Sequence, residues 1–200
     1  MENIHKRFAC VRISEPYLNL MADFVVRSEG GYLDRFLAYR KENGEIVSPA
    51  MREENDAIAR TYLVLDRDTE ELVAYFSLRA GQIGINTKSN GRFLRRNEFE
   101  PVPGIELANF AKNERYVKAH PEYKGLGYVI FEEFILPIVK NISKMVGVKI
   151  LYIYALPRKN LIDHYKTYGF TKLEPSLQKY VERRFRPRYD RGCAFMYLIL

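Results

Sequence analysis

Strand-like and helical segments alternate along this chain, which predicts an α/β protein, a sandwich of one sheet and its covering helices. Three observations carry that expectation. Short β-rich runs such as RFACVRI (7–13) trade places with stripes of helical period. One near-continuous apolar run, VKILYIYAL (148–156), reads as a strand buried on both faces. The length of 200 residues, 47% apolar and 28% charged, suits one globular domain over 1–200 and excludes a disordered chain or a coiled coil.

The elements follow in order. After strand 7–13, Ser14 offers a helix N-cap and Pro16 suits a first turn, ahead of the stripe Tyr17, Leu20, Met21, Phe24, Val25. Gly30-Gly31 breaks that helix, and a second carries Leu33, Phe36, Leu37 and Tyr39. Residues 43–56 are polar, hold Gly44 and Pro49, and read as a loop. TYLVLD (61–66) and ELVAYFSL (71–78) form a hairpin about a turn at 66–70. The stretch 80–104, rich in glycine and proline, reads as a long loop of the functional kind. IELANFAK (105–112) is a strand, Asn113–Lys124 a loop, and 125–145 a long helix. Its stripe is Phe131, Phe134, Ile135, Ile138, Ile142 and Met145, with a kink expected at Pro137. Strand 148–156, helix 159–167 and a final strand CAFMYLIL (193–200) complete the chain.

Charge and cysteine content narrow the function classes. The net charge is +7, but residues 1–100 carry 15 basic and 16 acidic side chains, whereas 101–200 carry 17 and 9. The positive excess therefore sits in the second half, which favours a polyanionic or phosphorylated partner; the plainer account is solubility. Cys10 and Cys193 form no disulfide framework and read as free thiols of a reducing compartment. No Cys/His cluster has metal-site spacing, and no run reaches the 18 or so apolar residues of a membrane span. The start MENIHKRFAC lacks the apolar core of a secretion signal, so a cytoplasmic location is expected.

Two motifs carry chemistry. Strand 105–112 leads to Glu122-Tyr123-Lys124-Gly125-Leu126-Gly127-Tyr128, which opens the long helix. Glycines let backbone approach a bulky anion, and the first helical N–H groups lack internal partners. It is no Walker loop, since no Gly-Lys-Ser/Thr follows, and no dinucleotide fingerprint, since Ile130 replaces the third glycine. Taken alone, Gly-x-Gly is also a common plain turn. The second motif follows the buried strand: Asn160, His164-Tyr165, then Tyr168-Gly169-Phe170.

In this order and spacing, IELANFAKN, E-x-x-G-x-G, a buried strand and H-Y-x-x-Y-G-F resemble the GNAT acyl-CoA N-acyltransferase family over roughly residues 60–173. The resemblance implies a mixed, mostly antiparallel central sheet flanked by helices, with a splayed central strand pair. It implies acetyl-CoA as co-substrate and no metal. The pyrophosphate would rest on the amides of Tyr123, Lys124, Gly125, Leu126, Gly127 and Tyr128. The family's usual Gln or Arg at the head of that loop is Glu122 here, a departure that assigns the contact to backbone. Phe110, Ala111 and Lys112 would meet the thioester and pantetheine through backbone, with the Phe110 N–H a candidate oxyanion donor. Tyr165 would protonate the leaving thiolate; its plainer role is a core tyrosine, with Tyr168 in a packing slot and His164 solvated. Arg158 stands where the family often has Asn, and Asn160 is two residues late; both are candidate CoA contacts. Glu106 is a candidate water-mediated base or else a paired strand-end carboxylate.

The acceptor is read from the basic segments. The run VERRFRPRYDR (181–191) holds five arginines, among them Arg183, Arg184 and Arg186, interleaved with Phe185 and Tyr189. Lys88, Arg92, Arg95 and Arg96 form a second basic group. A solvated basic face or contacts to the CoA 3′-phosphate are the alternatives. The long segment before the central strand and the basic tail resemble the toxin branch of the family. Its members acetylate the α-amino group of aminoacyl-tRNA, are often dimeric, and pair with a DNA-binding antitoxin. Two further readings stay open: an acetyltransferase for a small-molecule amine or a protein amino group, and a non-catalytic module that holds CoA or RNA.

Overall fold

A computed structural model of the chain describes residues 4–26, 32–85, 100–184 and 192–200. These residues contain nine strands: β1 (Phe8–Arg12), β2 (Tyr39–Arg40), β3 (Ile46–Val47), β4 (Arg60–Asp66), β5 (Leu72–Ile85), β6 (Glu100–Lys112), β7 (Ile150–Ala155), β8 (Thr171–Lys172) and β9 (Ala194–Ile199). Seven of them hydrogen-bond in the order β1-β4-β5-β6-β7-β9-β8, and β2 and β3 pair separately. The β1–β4, β4–β5, β7–β9 and β8–β9 pairs are antiparallel, and β6–β7 is parallel. This is the mixed sheet that the resemblance implies.

The chain gathers into two compact units. The first comprises Met1–Arg79 and Leu107–Pro137, the second Ala80–Glu106 and Ile138–Leu200. In the first, Met21 from helix Leu18–Ala22, Phe36 and Leu37 from helix Tyr32–Leu37, and Ala50 from helix Pro49–Asn55 pack with Leu63, Leu72, Tyr75 and Ala111. In the second, Ile83, Val102, Ile150, Tyr152, Leu173, Leu177 and Phe195 form the core. There the Tyr152 ring reaches so close to β5 that a Cβ on Gly81 would stand 2.0 Å from its hydroxyl. A Cβ on Gly104 would fall 2.7 Å from Ile150 Cγ1.

Several elements depart from the expectation, each for a local reason. The predicted loop 43–56 contains β3 and helix Pro49–Asn55, because Ser48 accepts a hydrogen bond from Met51 N–H at 3.0 Å and Pro49 stands at the first helical position. The predicted loop 113–124 contains helix Glu114–Ala119, capped by Asn113, which accepts from Arg115 N–H at 3.1 Å. Ser14 makes no side-chain cap; it precedes a 3₁₀ turn, Glu15–Tyr17, and the following helix ends at Ala22, short of Phe24 and Val25. Strands β5 and β6 claim both ends of the predicted loop 80–104. The basic run from 181 begins in helix Pro175–Arg184.

The long helix is continuous from Leu126 to Val146 but widens to a π turn over Phe131–Ile135. There Leu136 N–H donates to Phe131 O, five residues back. The widening falls just before Pro137, whose ring clashes with an α-helical carbonyl in the preceding turn. It also rotates the apolar stripe. Ile130, Phe131, Ile135 and Val139 are the buried side, and Met145 of the expected stripe is exposed.

Candidate active site

The glycine loop belongs to the first unit. Gly125 adopts φ +75, a left-handed conformation that favours glycine, with open space where a Cβ would project. The turn before it uses up two amides: Tyr123 N–H donates to His120 O at 3.2 Å and Lys124 N–H to Glu122 O at 2.9 Å. Tyr128 N–H is likewise taken, by Gly125 O at 2.8 Å. Three consecutive N–H groups remain, on Gly125, Leu126 and Gly127, with no hydrogen bond among the described residues. They head a helix whose dipole favours an anion at this end. The loop thus offers three of the six amides that the resemblance assigns.

Strand β6 supplies the other predicted backbone contacts of this unit. Ala111 points into the core, and Phe110 and Lys112 lie on the opposite face. On the Ala111 face, Asn109 is 4% exposed, and its Nδ2 has no hydrogen-bond partner among the described residues. A buried amide without a partner costs about 1–3 kcal/mol, which marks Asn109 as a feature the sequence does not announce. Its one signal is an uncharged polar residue inside the otherwise apolar stretch 107–111 of that strand.

Glu122, the departure at the head of the loop, is paired with a histidine. Its Oε1 lies 3.1 Å from His120 Nδ1, while His120 Nε2 faces Glu71 at 3.6 Å. The His120 ring stacks on Tyr116 with centroids 4.3 Å apart. Tyr116 in turn donates its hydroxyl hydrogen bond to Asp66 at 2.6 Å, and Asp66 also pairs with Arg7 at 2.8 Å. A hydrogen bond from its own backbone, and then His120, hold the Glu122 carboxyl below its usual range. Burial and the bond to Asp66 push the Tyr116 phenol far up.

The remaining predicted residues belong to the second unit. The parallel β6–β7 ladder runs from Gly104–Ile150 to Glu106–Tyr152 and ends there. Glu106, 6% exposed, is the last residue of that ladder. Helix Lys159–Thr167 presents Tyr165, whose ring meets Phe170 edge-on at 5.7 Å and Tyr168 at 6.0 Å. Burial pushes the Tyr165 phenol up to about 12. His164 Nε2 and the Tyr168 hydroxyl are 2.7 Å apart, so His164 is tied to the packing tyrosine while its residue stays exposed. Arg158 holds the N-cap position of that helix, and Asn160 accepts from Leu161 N–H at 2.9 Å; both are exposed. Arg183 and Arg184 close helix Pro175–Arg184. Lys88, Arg92, Arg95, Arg96 and Arg186 lie outside the described residues. Among the described residues no group of three His, Cys, Asp or Glu could hold a metal ion, and no helix is long and apolar enough to cross a membrane.

The strand order, the parallel β6–β7 pair, and the glycine loop between β6 and a long helix define a GNAT-type α/β fold. No family model matches the chain. Among solved structures, a tyrosine-to-phenylalanine mutant of KacT is similar at 18% identity, with 96% of this chain and 95% of that one covered and a TM-score of 0.65. AtaT complexed with acetyl-methionyl-tRNAfMet is similar at 15% identity, with 96% and 94% covered and a TM-score of 0.65. A tyrosine-to-phenylalanine mutant of the AtaT toxin, bound to the C-terminus of the antitoxin AtaR and acetyl-CoA, gives 15% identity, 96% and 93% coverage, and 0.60. At this identity the likeness is one of fold, over nearly the whole chain.

Proposed function

We propose that the chain is an acetyl-CoA-dependent N-acetyltransferase whose acceptor is the α-amino group of aminoacyl-tRNA. The observation that carries acetyl transfer is the loop: three adjacent N–H groups at a left-handed glycine, unpartnered among the described residues, heading a long helix. That arrangement fits a pyrophosphate and needs no cationic side chain. In support of the acceptor stand the fold likeness to AtaT, solved with an acetylated methionyl-tRNA, and the basic second half. By the same likeness an antitoxin is the proposed protein partner.

The chemistry assigned to the residues is a direct transfer. The amine nitrogen attacks the thioester carbonyl carbon, the C–N bond forms, the C–S bond breaks, and the amine loses a proton. An α-amino group titrates near about 7.7–8.0, so it arrives partly neutral and asks little of a base. Glu106 is the carboxylate proposed to draw that proton through water. Tyr165, its phenol pushed up to about 12, holds its proton at every working pH. It donates a hydrogen bond to the sulfur and yields the proton as negative charge builds there. The Phe110 N–H is proposed for the oxyanion, and Arg158 and Asn160 for outer CoA contacts.

The test offers labelled acetyl-CoA to charged tRNA, to protein and to small amines. Label on charged tRNA that leaves on deacylation is the expected result. Label confined to protein or small amines overturns the acceptor and returns the arginine run to solvated surface. Absence of transfer to all three overturns the enzyme reading.

A further inference from the structure

The acidic residue at the head of the glycine loop works against the proposed anion. A carboxylate next to Tyr123 opposes a pyrophosphate on the amides of Gly125–Gly127 through like-charge repulsion. We propose that His120 is a positioning residue that clamps Glu122 away from those amides and so sets the affinity for the CoA pyrophosphate; this rests on the acetyl-CoA reading above. His120 Nδ1 stands 3.1 Å from Glu122 Oε1. The same residue closes the turn, since its carbonyl accepts from Tyr123 N–H at 3.2 Å.

The clamp is itself anchored. His120 N–H donates to Tyr116 O at 2.9 Å, at the end of helix Glu114–Ala119. Its ring lies on Tyr116 at 4.3 Å and tilts against Tyr123 at 5.8 Å. The Tyr116 hydroxyl holds Asp66, which Arg7 pairs from just before β1. The charged groups around the imidazole are Glu122 on the loop and Glu71 at the hairpin turn, with Asp66 and Arg7 behind Tyr116. The helix before the loop thus carries an aromatic platform that fixes a histidine beside the acidic loop residue.

A double-mutant cycle tests the clamp, read by calorimetric titration of the full chain with acetyl-CoA and by initial rates. His120→Ala leaves Glu122 held by its own backbone N–H alone and is expected to weaken acetyl-CoA binding by about five- to tenfold, as the partial release of one nearby like charge should. KM for acetyl-CoA rises in step, and kcat at saturation holds. His120→Asn keeps an amide N–H close to Nδ1 and restores most of the affinity. In a Glu122→Gln background the same His120→Ala change costs nothing, because the repulsive charge is gone. Equal loss in both backgrounds, or none in either, overturns the clamp while leaving the acetyl-CoA reading standing. Wild-type protein that binds neither acetyl-CoA nor CoA overturns that reading, and the clamp with it.

Discussion

Tyr165 is where one atom separates two roles. A core tyrosine and a thiolate acid differ only in what the hydroxyl does, since both use the ring for packing against Tyr168 and Phe170. Tyr165→Phe removes the oxygen and keeps the ring. It should lower kcat by about 10²- to 10⁴-fold, the usual worth of a general acid, with acetyl-CoA binding unchanged in calorimetry. Turnover equal to wild type would return Tyr165 to the core. The pH dependence has a definite sign. Burial raises the phenol from 10.0 to about 12, so it stays protonated in the folded chain where a free tyrosine ionises. Its contribution to stability is therefore present below pH 10 and lost as pH rises through 12, and kcat should show no tyrosine-driven fall below pH 10. The position of Tyr165 was legible because H-Y-x-x-Y-G-F is a local string. Asn109 and His120 were not: one stands out because its amide has no partner among the described residues, the other through Glu122, Tyr116 and Glu71, and such facts exist only in three dimensions.

Elements with a strong period of their own were legible, and those made by one capping bond were not. The hairpin of β4 and β5, strand β7 and helix Lys159–Thr167 fall where alternation and stripe predict. Helices Pro49–Asn55 and Glu114–Ala119 are too short to show a stripe, and each depends on a single side chain, Ser48 or Asn113. Two predictions belong at this scale. Gly81 faces the stiff, buried ring of Tyr152, so Gly81→Ala forces that ring or β5 to shift and should lower unfolding free energy by about 1–3 kcal/mol, measured by urea denaturation. Gly44→Ala has open space at its Cβ and disturbs no neighbour, which leaves only its positive φ as a cost. On helix Lys159–Thr167, Lys159 at 2.7 Å and Lys166 at 2.9 Å hold Asp163 down from 3.8 to about 2. A lowered carboxyl stabilises above its ordinary value and stops doing so as pH falls through its folded one. The difference in melting temperature between wild type and Asp163→Asn should therefore narrow as pH drops from 3.8 through about 2, and a constant difference would assign it to packing instead.

At the scale of the whole molecule, nearness in sequence stops being a guide. Strands β5 and β6 and the long helix each leave one compact unit and enter the other, so neither unit is a continuous stretch of chain. A composition scan sees one domain-length chain and no linker, because the crossings fall inside regular elements. Charge is different, since it adds along the sequence whatever the fold. The second half carries the whole positive excess, and the run 181–191 concentrates five arginines of it. If the acceptor is an RNA, those charges displace counterions, and affinity falls with salt at a slope near 0.7–0.9 per phosphate neutralised. Charge reversal at Arg183, Arg184 and Arg186 should then weaken binding of charged tRNA and reduce the slope of log affinity against log salt by about 2–3. Acetyl-CoA affinity, set at the loop, should stay as it was. A salt slope that the reversals leave unmoved would remove RNA from the role of acceptor, whereas a parallel loss of acetyl-CoA affinity would assign these arginines to the CoA 3′-phosphate. Two titrations on one variant therefore separate a polyanionic acceptor from a phosphorylated donor.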